Sequence, residues 1–252
     1  MISEKWDEKV IELAKSLINC QSYSGHEDKA AEALKAYMKV AGVFDEIETD
    51  CYGNVIGHIK GKNPGSKVLF DGHIDTVPVG NLKDWKHDPF HAVVEDGKLY
   101  GRGAADMKGA VAAFTVAAHR YAVENGKNFA GDVYVAGVVH EECFEGVAAR
   151  KISAKVKPDY VVIGEASEMN LKVGQRGRAE IVVETFGVPA HSANPEKGVN
   201  AVYKMCEAIQ AIREIEPPVQ NKLGKGILEL TDVKPSPYPG ASVVPEYCRA
   251  TY

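Results

Sequence analysis

The sequence predicts an α/β protein in which helices flank a mixed, mostly parallel sheet, followed by a smaller α+β domain. Two observations support this fold class. Apolar strand patterns alternate with helical patterns up to about Arg176, and the pattern changes after Gly177. The 252 residues are enough for one or two domains. We therefore expect a first domain over residues 1–176 and a second over 177–252.

Two amphipathic helices open the predicted first domain. Apolar residues recur at helical spacing over Glu4–Ile18, which predicts the first helix. The second is predicted to begin at Ser24, because Ser-Gly-His-Glu has the pattern of a capping box in which Ser24 accepts the Glu27 N–H. It is expected to end at Gly42 in a left-handed cap.

Strands and helices alternate through the rest of this domain. Short strands are expected on both sides of Gly53 and after the turn Asn63–Gly65, and Asp96-Gly97 predicts a hairpin. The later elements are a helix over Asp106–Glu124, a strand over Val133–Val139, a helix over Gly146–Val156 and a strand over Tyr160–Ile163.

The second domain is predicted to have the order strand, helix, strand, strand. These elements cover Ala179–Phe186, Gly198–Ile215, Gly226–Val233 and Ser242–Ala250, and the Pro-rich loop Pro235–Gly240 joins the last two. We expect an open-faced, ferredoxin-like α+β unit that is incomplete.

Charge and composition exclude several classes of protein. Thirty basic and thirty-five acidic residues give a net charge of −5, which argues against nucleic-acid binding. No apolar run approaches the roughly 18 residues of a membrane-spanning helix. The five cysteines contain no Cys-x-x-Cys pair, so a disulfide scaffold and a zinc ribbon are excluded and a cytoplasmic location is expected.

Four predicted strands are each followed by groups that bind metals. Sites in open α/β sheets form beyond the carboxyl ends of the strands. Ionised carboxylates that follow buried apolar strands repel each other unless a cation neutralises them. The sequence therefore predicts a metal site built from His73, Asp75, Asp106, Glu141, Glu142 and Glu165.

Each piece of this pattern also has a simpler interpretation. A His-x-Asp sequence at a strand end is common, Asp106 could be a helix N-cap, and adjacent glutamates are usually solvated. A nucleotide site is disfavoured: Gly101–Asp106 begins like the dinucleotide-binding fingerprint, but its sixth residue is a carboxylate where a pyrophosphate should bind.

With these motifs the sequence resembles the di-zinc aminoacylase/glutamate carboxypeptidase family, which includes acetylornithine deacetylase and succinyl-diaminopimelate desuccinylase. The stretch Gly174–Ile181 resembles an uncharacterised bacterial subgroup associated with selenium metabolism. The blocks that carry the family resemblance are Gly72–Pro78, Trp85–Phe90, Tyr100–Gly109, His140–Glu142, Gly164–Ser167 and Pro189–Pro195.

The resemblance implies a zinc-peptidase-like fold and two Zn²⁺ ions, with Co²⁺ or Mn²⁺ as alternatives. His73 and Glu165 would bind one ion, Glu142 would bind the other, and Asp106 would bridge both. Such paired ions share a hydroxide that attacks an amide carbonyl. The implied activity is hydrolysis of an N-acyl amino acid or a small peptide.

Three further residues receive roles from the same resemblance. Asp75 would orient the His73 ring, and Glu141 would be the general base. His191 would stabilise the oxyanion, in its own or a partner subunit, although a surface-loop histidine is an equally good interpretation.

The second domain is expected to contact both substrate and partner. Arg176 and Arg178 could hold a substrate carboxylate, or form a salt bridge at a hinge strand. Asn200 is predicted to hydrogen-bond at a helix start. We expect a homodimer through this domain, because it would otherwise leave a strand edge unpaired.

Two departures from the family pattern qualify these expectations. His140 replaces the aspartate usual at the first position of its acidic triplet, which would change hydrogen bonding around the ligands. The family's last histidine ligand is not in a matching block up to Tyr252. We therefore expect the N-terminal part of a longer enzyme with impaired turnover, or else a mononuclear hydrolase or a non-catalytic, metal-poor binding or dimerisation module.

Overall fold

The computed structural model describes the backbone of residues 2–252 and the side chains from residue 6 onward. The chain divides into two compact units, Met1–Asn170 and Leu171–Tyr252. This division lies six residues before Arg176, the boundary predicted from the sequence. Among the described residues, no helix is both long and apolar enough to cross a membrane.

In its described residues, the first unit contains four α-helices, one short 3-10 helix (Leu82–Asp84) and seven strands. The helices are α1 (Ile2–Ile18), α2 (Asp28–Ala41), α3 (Lys108–Glu124) and α4 (Val147–Val156). The strands are β1 (Glu46–Thr49), β2 (Val55–Lys60), β3 (Asn63–His73), β4 (Val93–Glu95), β5 (Lys98–Tyr100), β6 (Ala130–Val138) and β7 (Tyr160–Ile163).

Five of these strands form one mixed sheet in the order β1-β2-β6-β3-β7. β3 runs parallel to both β6 and β7, whereas β1 and β2 are antiparallel additions. This confirms the predicted α/β class with a mixed sheet. Because β3, β6 and β7 are parallel, their carboxyl ends meet at one edge. Asp96 and Gly97 have positive φ and close the predicted β4–β5 hairpin.

One hydrophobic core joins the helices to this sheet. Leu17 of α1, Leu34 of α2, Leu69 of β3 and Val111 of α3 are buried within it. Met107, just before α3, is also fully buried, and a Cβ on Gly72 would come within 2.5 Å of its Cε. The glycine therefore allows the start of α3 to approach the end of β3.

Three local predictions for this unit are wrong. α2 begins at Asp28, and Ser24 does not cap it, because its hydroxyl donates to Asp75. The Asn63–Gly65 segment is an irregular start of β3 rather than a turn before it. All four residues of β7, Tyr160–Ile163, are exposed although the strand is apolar, and β7 lies at the edge of the sheet.

The second unit contains one α-helix, α5 (Ala201–Arg213), and five strands. The strands are β8 (Val182–Phe186), β9 (Val219–Gln220), β10 (Gly224–Lys225), β11 (Asp232–Ser236) and β12 (Tyr247–Thr251). A three-stranded antiparallel sheet has the order β11-β12-β8, and β9 pairs with β10. Asn200 accepts the Val202 N–H at 2.8 Å and caps α5, as predicted.

The predicted strand over Gly226–Val233 is wrong, since β11 begins only at Asp232 and includes Pro235, which had been assigned to a loop. Pro235 fits there because β11 is an edge strand, where a missing N–H costs no ladder hydrogen bond on the open side.

Candidate metal centre

The parallel strands bring their terminal residues to the same edge of the sheet. His73 is the last residue of β3, Glu141 and Glu142 follow β6, and Glu165 follows β7. Asp106 lies in the segment between β5 and α3. The segment's Asp106–Met107 peptide bond is cis. Asp106 does not cap α3, because Met107 occupies the N-cap position and no side chain caps the helix there.

His73 is buried and uses its two ring nitrogens differently. Nδ1 lies 3.0 Å from the carbonyl oxygen of Asp75, which can only accept, so Nδ1 carries a proton. Nε2 lies 2.9 Å from Asp106 Oδ1 and 3.7 Å from Glu165 Oε1. In a neutral ring, the Nε2 lone pair therefore faces the two carboxylates and is available to a metal ion.

Asp75 is fully buried and connects the end of β3 to the segment after β6. One of its oxygens accepts from Ser24 Oγ at 2.7 Å and from the Glu142 N–H at 3.1 Å. The other accepts from the Glu141 N–H at 3.2 Å and lies 3.5 Å from His73 Nδ1. These contacts outweigh the effect of burial and hold the pKa of Asp75 below its usual value.

Among the side chains that the structure describes, two groups of three are arranged closely enough to hold a metal ion. Ligand atoms of His73, Asp106 and Glu142 lie within 4.8 Å of one another, and so do those of His73, Glu141 and Glu165. One imidazole and two carboxylates in each group are ligands that Zn²⁺, Mn²⁺ and Co²⁺ accept. Three protein ligands also leave a coordination position for water.

The electrostatics of the cluster favour a positive charge beside its carboxylates. Burial, together with the carboxylates of Glu165 and Glu142 and against the attraction of His73, raises the pKa of Glu141 to about 7. Burial also raises the pKa values of Glu142 and Glu165 above their usual range. Burial alone would lower the pKa of His73, but its hydrogen bonds with Asp75 and Asp106 raise it to about 10. The carboxylates thus stabilise a cation at the ring.

The acidic side chains are less buried than the sequence suggests. Asp106 and Glu165 have 58% and 46% of their side chains exposed, and Glu141 and Glu142 are half-buried. The expectation of a strand buried before Glu165 is therefore wrong. Partial burial and, to a lesser extent, neighbouring carboxylates raise the pKa values of Glu141, Glu142 and Glu165.

Two charged residues near the cluster, Asp71 and Lys108, were not predicted from the sequence. Asp71 lies within β3, and burial and the nearby Glu165 raise its pKa to about 6. A charged residue inside an apolar strand was the sequence feature that could have identified it. Lys108 is fully buried and its Nζ donates to the carbonyl oxygens of Leu17 and Cys20, at 2.9 and 2.8 Å. These two hydrogen bonds connect the start of α3 to the end of α1 and the residues just after it.

The remaining candidates lie in the second unit. His191 is exposed, and its Nδ1 accepts the Ala193 N–H at 3.1 Å. Arg176 Nε donates to the carbonyl oxygen of Leu223 at 3.0 Å. Arg178 belongs to the same unit. The structure brings the six candidates of the first unit together and leaves these three as predictions.

The family model described as Peptidase family M20/M25/M40 matches residues 69–226. That range includes most of the first unit, with all six clustered candidates, and continues into the second. The chain belongs to this family, which confirms the resemblance drawn from its motifs.

Individual relatives agree with this assignment. The chain is 33% identical over 223 residues to Uncharacterized protein YgeY of Escherichia coli (strain K12), which covers 87% of this chain and 54% of YgeY. It is 34% identical over 224 residues to succinyl-diaminopimelate desuccinylase of Wolbachia pipientis subsp. Culex pipiens (strain wPip), covering 84% of this chain and 56% of that protein. The chain thus spans little more than half the length of these relatives.

Solved structures show the same fold. The di-peptidase Dug1p of Saccharomyces cerevisiae superimposes with a TM-score of 0.65 at 15% identity, over 99% of this chain and 69% of Dug1p.

Proposed function

We propose that this chain carries the metal-binding half of a hydrolase that cleaves the amide bond of an N-acyl amino acid or a small peptide. The observation that supports this most strongly is the cluster in which His73 lies within 4.8 Å of the ligand atoms of Asp106 and Glu142, and likewise of those of Glu141 and Glu165. The names of the similar desuccinylase and di-peptidase support a substrate with an amide bond and a free carboxylate.

We assign the ligands as the family resemblance implies. His73 and Glu165 would hold one ion, Glu142 would hold the other, and Asp106 would contact both. When bound, two Zn²⁺ ions, or Co²⁺ or Mn²⁺, supply Lewis acidity that activates a water and polarises the amide carbonyl. Asp75 keeps the proton on His73 Nδ1, so that Nε2 stays available as a ligand atom.

Glu141 is the proposed general base. Its carboxylate takes a proton from the attacking water and delivers it to the leaving amine nitrogen. Glu141 can serve in this way only if it stays off the metals, yet its carboxylate lies close enough to His73 and Glu165 to be a ligand. Substitution of Glu141 by glutamine distinguishes a general base, whose loss lowers the rate, from a ligand, whose loss lowers the metal content.

The second unit supplies the proposed contacts to substrate and partner. His191 stabilises the oxyanion of the tetrahedral species, and Arg176 or Arg178 binds the substrate carboxylate. A homodimer forms through this unit. The protein acts in the cytoplasm.

The function is tested with a panel of N-succinyl and N-acetyl amino acids and dipeptides, with added Zn²⁺ or Co²⁺. We expect at least one substrate to be hydrolysed, the rate to vanish with a chelator, and the rate to return when metal is restored. Hydrolysis that survives complete removal of metal would contradict the proposal. A protein that binds metal but cleaves no member of the panel would also contradict the proposed activity.

A further inference from the structure

The loop between α1 and α2 contacts both of the segments that carry candidate ligands. The Ser22 carbonyl oxygen accepts the Thr76 N–H at 2.8 Å, and Ser22 Oγ donates to the Ile74 carbonyl at 2.6 Å. Tyr23 and Thr76 form an isolated parallel bridge. Residues 22–27, here called the α1–α2 loop, therefore lie alongside the chain that leaves β3.

Ser24 makes the side-chain contact of this loop with Asp75. Its hydroxyl donates at 2.7 Å to the same oxygen that accepts the Glu142 N–H. Asp75 is fully buried, so its orientation is set by its few donors. Ser24 and the Glu142 backbone thus share one oxygen of the Asp75 carboxylate.

Glu27 contacts the other ligand segment. Its side chain is buried, and one carboxylate oxygen accepts from the His140 N–H at 2.9 Å and from the Gly25 N–H at 3.0 Å. His140 has φ of 58°, an unfavourable conformation for a residue that is not glycine. The Glu27 carboxylate therefore holds the backbone at the point where the chain turns from β6 toward Glu141 and Glu142.

We propose that Ser24 and Glu27 are positioning residues that hold the segment after β3 and the segment after β6 in the relative placement that a metal ion needs. The inference rests on the proposed metal-dependent function. Ligand atoms on both segments must meet within a few ångströms, and groups that orient ligands typically change metal affinity about 10–100-fold when removed. Ser24 and Glu27, whose Ser-x-x-Glu pattern predicts a helix cap, instead connect the two segments that carry the candidate ligands.

The test compares variants that remove each contact with variants that preserve it. Ser24→Ala removes the donor, whereas Ser24→Thr keeps a hydroxyl. Glu27→Met removes the acceptor at similar length, whereas Glu27→Gln keeps an acceptor oxygen. Ser16→Ala, on an exposed position of α1, is the matched control for loss of a serine hydroxyl.

Zn²⁺ affinity of the metal-free protein is measured with a competing chromophoric chelator. We expect Ser24→Ala and Glu27→Met to bind Zn²⁺ at least about tenfold more weakly than wild type, as for other ligand-orienting groups. Ser24→Thr, Glu27→Gln and Ser16→Ala should retain affinities within about threefold of wild type, because they keep the contacts or lie outside them.

Hydrogen exchange of the metal-free protein gives a second readout that needs no metal. Exchange at the amides of residues 140–142 should accelerate in Ser24→Ala and Glu27→Met, with core amides unchanged. Unchanged Zn²⁺ affinity in both variants would overturn the inference, and so would acceleration spread evenly over the first unit. If the variants lose affinity while wild type binds Zn²⁺ but hydrolyses nothing, the proposed activity fails and the positioning role stands.

Discussion

His73 belongs to both candidate ligand groups because its Nε2 faces a carboxylate from each of them. The Asp75 carbonyl fixes the proton on Nδ1, and Nε2 faces Asp106 and Glu165. Although burial acts in the opposite direction, the contacts of the ring with Asp75 and Asp106 raise the pKa of His73 above its ordinary value, which favours the imidazolium. Metal binding must then release the Nε2 proton.

Glu141→Gln separates the two roles that the geometry allows for Glu141. As general base, it can be replaced by glutamine with little loss of metal, while the hydrolysis rate falls about 10²–10⁴-fold because no group accepts the proton. The measurement is the rate on the best substrate of the panel, together with metal content. Glu8→Gln, on an exposed position of α1, is the control.

A fall in metal content of Glu141→Gln comparable to the fall in rate would instead identify Glu141 as a ligand. A rate equal to that of wild type would reject both roles.

At this scale the sequence predicted the clustered residues better than their surroundings. His73, Glu142 and Glu165 could be found because each ends or follows a strand that is parallel to its neighbour in the main sheet, and such strands end at the same edge. Asp106 follows β5, which belongs to a separate two-stranded sheet, so its place in the cluster does not follow from this rule. The contact of Ser24 with Asp75 joins residues far apart in sequence. No local pattern encodes such a pair, so the local capping pattern was favoured instead.

Among the elements, β3 is the central structural support of the site, and β7 is peripheral. β3 pairs with both β6 and β7, and its Leu69 is fully buried. β7 pairs with β3 alone, and Val161 is 47% exposed. Apolar content alone suggested that both strands are buried. β3 lies inside the sheet and β7 at its edge, and sequence periodicity does not report this order.

Substitutions in the two strands should therefore have unequal costs. Leu69→Ala should lower the free energy of unfolding by about 2–5 kcal/mol, because it leaves a cavity in the core. Val161→Ala should cost less than about 1 kcal/mol, the range of strand preferences at an exposed position. Urea unfolding of the metal-free protein measures both.

Equal losses in the two variants would show that β7 is buried in solution. They would contradict its exposed position in the fold described above.

At the scale of the whole molecule, the fold class was predictable, and the second unit was predicted less accurately than the first. Helix and strand periods alternate clearly up to Ile163, whereas the second unit has two-residue strands and a proline within β11. Short strands and prolines weaken the alternation on which strand prediction depends. The helix α5 and its Asn200 cap were correctly located because both signals are local.

The three-stranded sheet of the second unit has two edge strands, β8 and β11. Open edges favour pairing with another chain. We therefore predict a homodimer, with about twice the chain mass of 27.3 kDa measured by light scattering across a concentration series. A constant monomer mass at all concentrations would contradict both the dimer and a role for His191 in a partner's site.

The central claim is that the crowded carboxylates around His73 hold divalent metal ions. The most direct measurement is Zn²⁺ stoichiometry and affinity of the metal-free protein, compared with Asp106→Asn, which removes the charge nearest Nε2. The account predicts about two ions per chain at a complete site, bound much more weakly after the substitution. A wild-type protein that binds no Zn²⁺, or an Asp106→Asn variant that binds it equally well, would contradict the account.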